Sequence, residues 1–194
     1  CAAVARAQPE GCVVVDESLT SGGSYYDAAA GSPAFQHLCL TGGAIGFGPA
    51  CAAGAAVAAA AHGRRRVINL QADGSAMYSL QALWTQARER LAVTTVVCAN
   101  RAYSILKLEA QVQGVKAAGD GDAMRRLTTL DDPPLDFVAL ARGYGVPAVS
   151  VVTVGELERE LKASLAVEGP YLIEAVLAPE AGTRGAQAGA RRPA

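Results

Sequence analysis

At 194 residues the chain fits one domain with a single substantial core and leaves little room for two. Hydrophobic residues make up 51% and charged residues 18%, with a formal net charge of -1. That balance excludes the basic surface needed to hold a nucleic acid or an anionic membrane, so the expected partner is a small molecule or another protein chain.

In chain order, the sequence opens on Cys1 rather than Met, with a helix end followed by a strand, and so reads as a piece cut from something longer. An apolar run at Cys12 to Val15 is followed by an Ala-rich helical segment, Ala50 to Ala61. That segment is shorter than the roughly 20 residues needed to cross a bilayer, and no signal-peptide pattern precedes it, which places the protein in the cytoplasm. Val67 to Leu70 and Val93 to Ala99 are rich in β-branched residues, as central strands buried on both faces are. A helical segment, Ser79 to Arg90, lies between them. Beyond these come a helix at Leu135 to Tyr144 with Gly145 as its end signal, a strand at Ala148 to Val152, a helix at Val154 to Val167 and a strand at Tyr171 to Val176. Alternation of this kind predicts an α/β fold: a three-layer open parallel sheet with helices on both faces. Between Glu109 and Pro134 the pattern fails, and a mobile lid or partial disorder is expected there. Residues 1–178 read as the domain, and 179–194, rich in Gly, Ala and Arg, as a disordered tail.

Cys1, Cys12, Cys39, Cys51 and Cys98 lack CxxC spacing and sit in apolar surroundings, which reads as reduced core thiols rather than a zinc or disulfide framework. Trp84 and Met77 fall at helical spacing and read as core. His62, beside Gly63 and the run Arg64 to Arg66, reads as lying on a solvated turn, the three arginines are too few for a nucleic-acid footprint, and His37 reads as structural. In the Gly-rich run Gly42 to Gly48 the nearest match to the dinucleotide fingerprint, Gly46, Gly48 and Cys51, fails at the third position and has Pro49 inside it.

Two segments carry chemistry. Gln71-Ala72-Asp73-Gly74-Ser75 lies where a buried strand ends and a helix starts, the place where open α/β sheets bind ligands. A helix starting near Ser75 offers free N–H groups to a phosphate. An Asp beside that phosphate makes sense with a cation between them, although Asp73 or Ser75 as a plain helix cap is the competing explanation. Cys98-Ala99-Asn100-Arg101-Ala102-Tyr103 ends the next strand, and Asn100 beside Asp73 would suit magnesium, which prefers oxygen ligands. Alone, Asn100 reads first as a loop residue whose side chain bonds nearby backbone.

Together, Asp73-Gly74-Ser75 and, 27 positions later, Asn100 resemble the thiamine-diphosphate signature. The text from Asp73 to Thr85, from Ala99 to Leu106 and from Leu140 to Val146 resembles the cofactor domain of acetolactate synthases and benzoylformate decarboxylases. The resemblance implies thiamine diphosphate and Mg2+ as cofactors, and an enzyme that decarboxylates or ligates 2-oxo acids. Asp73 and Asn100 would be side-chain metal ligands and Ala102 a ligand through its carbonyl. Gly74, Ser75 and Tyr103 would lie on the cofactor, with Leu19 and Thr20 in the loop closing over the diphosphate. The Gly43 carbonyl would receive the aminopyrimidine, flanked by Ala44, and Ile45 would bend the cofactor into its V shape. Ile105 and Leu106 would line the substrate pocket. Ala72 and Ala99 stand where the family has Gly and Asn. The glutamate that activates the cofactor lies, in this family, on a pyrimidine-binding domain, and neither Glu17 nor Glu109 sits in a matching motif. The resemblance therefore implies a chain without catalytic residues of its own, inactive alone. It would partner a pyrimidine-binding domain of the same or another chain, within a homodimer or homotetramer. A non-catalytic assembly module of the same fold is the alternative.

Overall fold

The computed structural model describes residues 1–63, 66–114 and 122–178. Six strands form one sheet: β1 (Val13–Glu17), β2 (Gln36–Cys39), β3 (Val67–Ala72), β4 (Val93–Ala99), β5 (Ala148–Val151) and β6 (Tyr171–Val176). Every pairing is parallel, in the order β2-β1-β3-β4-β6-β5. The helices are α1 (Ala2–Ala7), α2 (Tyr25–Ala28), α3 (Phe47–Ala60), α4 (Asp73–Ala76), α5 (Ala82–Arg88), α6 (Ser104–Val112), α7 (Asp122–Thr128), α8 (Phe137–Gly143) and α9 (Val154–Leu165), with a 3-10 turn at Leu19–Gly22.

Side-chain alternation sorts the core into two layers. Val14, Ile68, Val96 and Ile173 point to the face where α1, α2 and α9 supply Val4, Tyr25 and Leu161. Val13, Val15, Val67 and Val93 meet Ala52 and Ala56 of α3 on the other face. Further along that face Val97 and Leu172 meet Leu83 and, on α8, Phe137 and Ala141. Both layers of helices are thus present, as the strand pattern predicts, and the parallel strands are buried on both sides. Local signals set two helix starts. Thr153 and Glu156 form a reciprocal capping box on α9, and the Asp136 carboxylate accepts the Ala139 N–H at 2.8 Å on α8.

Several expectations fail for identifiable reasons. Trp84 and Met77 are 52% and 43% exposed rather than core. Leu83 and Gln86 occupy the inner face of α5, and Trp84 lies about 100° round the helix from Leu83, with Arg88 stacked 5.5 Å over its ring. Cys39 is exposed, on edge strand β2, although all five thiols are free. Arg66, the last of the three-arginine run, is buried, a place that its charge alone does not suggest. Its guanidinium donates to Thr94 Oγ1 at 3.0 Å and to the carbonyls of Val167, Gly169 and Val93 at 2.9, 2.9 and 3.2 Å. Burial lowers its pKa to about 10. The stretch Glu109 to Pro134 carries the end of α6 and all of α7, while its middle and the expected tail from Pro179 lie outside the described residues. Among the described residues no helix is long and apolar enough to cross a membrane.

Candidate functional site at the carboxyl edge of the sheet

The strand order places a switch point between β1 and β3. From β1 the chain moves outward to β2, whereas from β3 it moves the opposite way to β4. The carboxyl ends of these strands form the crevice where sheets of this kind receive ligands. Into it come Glu17 from β1, Asp73 just after β3 and Asn100 just after β4.

Ala72 lies opposite Cys98 in the β3–β4 register, so the two loops that follow are neighbours. They are also bonded: Asp73 Oδ2 accepts the Arg101 N–H at 2.6 Å, while Oδ1 accepts the Gly74 N–H at 2.8 Å. Asn100 Oδ1 accepts the Ala102 N–H at 3.0 Å, and its amide donates to Ser104 Oγ at 3.0 Å. Arg101 holds φ 57, which turns the loop, and a short antiparallel bridge between Ala102 and Thr129 fixes it from the far side. Asp73 is 2% exposed, and burial raises its pKa. The Gly74 and Arg101 amides partly offset that rise, and the charge of Glu174 adds to it. A buried carboxylate held by backbone amides and with a second carboxylate near it favours a cation beside it.

Ala72 has φ -75, so its Cβ is tolerated where the family carries Gly. The helix expected near Ser75 is only the four residues of α4, too short for a sizeable dipole. The Ser75 hydroxyl is turned inward, accepting from Gln71 Nε2 at 2.6 Å and donating to the Ala72 carbonyl at 3.1 Å, which leaves its backbone N–H for a ligand. A Cβ on Gly74 would stand 2.4 Å from Tyr103 Cε1, so Gly74 and Tyr103 are packed face to face across the two loops.

The Gly42–Gly46 loop is anchored by Glu17, for which the sequence offers no matching motif. Glu17 is 1% exposed; its Oε1 accepts the N–H groups of Gly46 and Phe47 at 2.5 and 3.3 Å, and Oε2 that of Gly48 at 2.6 Å. Gln71 Nε2 donates to Oε2 at 3.1 Å. The carboxylate thus serves the orphan amides at the start of α3. Gly46 has φ 96, and a Cβ on Gly48 would lie 2.0 Å from Gln71 Oε1, so both glycines are required. An acid closing a β-strand 29 residues before a Gly-rich helix start is a signal that only pairing in space makes readable. Gly43 lies in the same loop at φ 69, its carbonyl accepting the Ile45 N–H at 2.9 Å, and Ala44 and Ile45 are exposed beside it. Leu19, at φ 51, and Thr20 open the 3-10 turn that follows β1. Ile105 and Leu106 are 37% and 51% exposed on the first turn of α6. His37 is held by Asp16, Nε2 to Oδ2 at 3.3 Å, and by the rings of Tyr25 and Tyr26.

The donor set is all oxygen: the Asp73 carboxylate, the Asn100 amide and the Ala102 carbonyl, which meets no backbone donor among the described residues. No group of three or more His, Cys, Asp or Glu side chains able to hold a metal exists among the described residues. A cation here would take two side chains and complete its shell from a ligand's oxygens, which suits magnesium and not zinc.

Fold and site together define a cofactor-binding domain of the open, parallel α/β type, its site at the switch point. The chain belongs to the family of C-terminal TPP-binding domains of thiamine pyrophosphate enzymes, whose model matches residues 22–175. It is 49% identical over 171 residues to the Mycobacterium tuberculosis protein named "Putative acetolactate synthase large subunit IlvX", covering 87% of this chain and 32% of that one. It is 36% identical over 166 residues to benzoylformate decarboxylase of Pseudomonas aeruginosa, covering 86% of this chain and 29% of the relative. Among solved structures, the thiamine diphosphate-dependent 4-hydroxybenzoylformate decarboxylase of Rhodococcus jostii RHA1 superposes with TM-score 0.77 at 29% identity, over 92% of this chain and 32% of that one. The chain spans about a third of the length of these relatives.

Proposed function

We propose that this chain is the diphosphate- and magnesium-binding part of a thiamine-diphosphate-dependent enzyme that acts on 2-oxo acids. The observation that carries the reading is the buried Asp73 carboxylate, bonded across to the loop that holds Asn100. Asp73, Asn100 and the Ala102 carbonyl hold the cation. The backbone of Gly74 and Ser75 and the Leu19–Thr20 turn receive the diphosphate, with Tyr103 packed on Gly74. The Gly43 carbonyl and Ala44 meet the aminopyrimidine, and Ile45 supplies the bulk against which the cofactor bends. When bound, the cofactor supplies the electron sink for cleaving or forming a bond at the keto carbon. The chain's own residues bind and orient it, and Ile105 and Leu106 form an apolar wall that excludes water from the substrate side.

No residue of this sequence takes the place of the activating glutamate, so the 194-residue chain is inactive alone. It works with a pyrimidine-binding domain of the same or another chain, in a cytoplasmic homodimer or homotetramer. The names of the relatives, acetolactate synthase and benzoylformate decarboxylase, support ligation and decarboxylation equally. Calorimetry with thiamine diphosphate tests the reading: magnesium-dependent binding by the native chain and none by Asp73→Ala is expected. Binding that is indifferent to magnesium would refute the metal site, and no binding at all would favour an assembly module that has kept the fold.

A further inference from the structure

A groove of about 500 Å³ opens at the carboxyl edge of the sheet, on the face covered by α8 and between that helix, β5 and β6. Its floor is Glu174. The residue lies opposite Val97 of β4 and Ser150 of β5, on the same strand face as Leu172, where alternation calls for another apolar side chain. Glu174 is only 6% exposed, yet among the described residues it accepts no hydrogen bond and forms no ion pair. An uncompensated carboxylate on a central strand costs free energy, and such groups are ordinarily paired.

The surroundings define what the missing partner is. Leu135, Val138 and Val149 form apolar walls. Asp136 at the rim is already used, its Oδ1 capping α8. Two guanidiniums stand at the rim, Arg101 and Arg142, and Arg142 spends one of its five donors on the Ala148 carbonyl at 3.2 Å. An anion entering head-first would meet the floor's negative charge, reinforced by Asp73 on the same face. Among the described residues lining the groove the carboxylates are Glu174 and Asp136, and Asp136 is committed to capping α8. A molecule with a cationic head and an anionic end matches floor and rim together. The volume, apolar walls and few convergent polar groups are those of a small-molecule site.

We propose that this groove binds a small apolar α-amino acid or similar zwitterion, with its ammonium on Glu174 and its carboxylate on Arg142 and Arg101. Each charged end then gains a charge-assisted hydrogen bond, and the floor carboxylate loses its unpaired state. None of these contacts is itself a proposed metal or diphosphate ligand, although Glu174 acts through its charge on Asp73 and the Arg101 N–H is bonded to Asp73.

Calorimetric titration of the 194-residue chain with L-2-aminohexanoate, pentylamine and hexanoate tests it. The amino acid should bind tightest, pentylamine more weakly and hexanoate not measurably. Glu174→Gln, shown folded by circular dichroism, should weaken the amino acid at least tenfold. Ser150→Trp, at an exposed position on the groove's mouth, should abolish binding while the chain remains folded, and it decides the matter should Glu174→Gln fail to fold. The proposal is overturned by no binding of the amino acid, by hexanoate binding as well as it does, or by full affinity in either folded variant.

Discussion

Replacing Glu17 by alanine removes the acceptor that the start of α3 depends on. Its carboxylate takes three backbone N–H groups, from Gly46, Phe47 and Gly48, and the side-chain amide of Gln71. Hydrogen bonds to a charged group contribute about 1.5–3 kcal/mol each, but four donors on one carboxylate do not add. Gly46 and Phe47 are half-buried, so water can reach their amides in the variant, whereas Gly48 stays buried with no substitute and Gln71 keeps only its bond to Ser75 Oγ. The loss therefore falls at about 3–5 kcal/mol, the range for breaking a buried charged network. At about 2–4 °C per kcal/mol for a chain of this size, Tm should drop by roughly 6–20 °C. Urea unfolding followed by far-UV circular dichroism measures it. Glu17→Gln should cost less, because one oxygen still accepts while its NH2 faces the amides. A loss below about 1 kcal/mol for Glu17→Ala would refute the claim that this carboxylate organises the Gly42–Gly46 loop.

Gly74→Ala should separate stability from binding. The new Cβ drives the half-buried Tyr103 ring outward, a shift offset in part by a gain in helix propensity of up to about 1 kcal/mol. Unfolding free energy should change by less than about 1 kcal/mol, while calorimetry should show cofactor affinity falling at least tenfold. Arg66→Ala should destabilise by about 3 kcal/mol in denaturant titration, since the carbonyls of Val93, Val167 and Gly169 lose their buried donor. Burial raises the Cys12 thiol from 9.0 to about 11. Between those values the folded chain holds a proton the unfolded chain has released, so stability falls as pH rises through that window, and below pH 9 the thiol contributes no pH dependence. The total loss is at most about 2–3 kcal/mol above pH 11. It should be absent in Cys12→Ala when unfolding is followed against pH.

The sequence by itself determined the α/β class, the central strands and the two chemistry-bearing loops. β3, β4 and β6 are rich in Val, Ile, Leu and Thr, which a sheet covered on both faces can bury. A parallel strand delivers its next residue to the carboxyl edge, so Asp73 and Asn100 could be placed without coordinates. Tertiary structure alone decided what depends on a neighbour distant in sequence. Strand β2 is short and exposed, and exists through its pairing with β1. Trp84 lies exposed and Arg66 buried because hydrophobicity and charge do not say which way a side chain points or whether four acceptors await it. Glu17 is an ordinary acid in the sequence and becomes the anchor of the Gly42–Gly46 loop only when β1 and α3 meet. Glu174 likewise reads as a strand residue until the sheet face it points to closes around it.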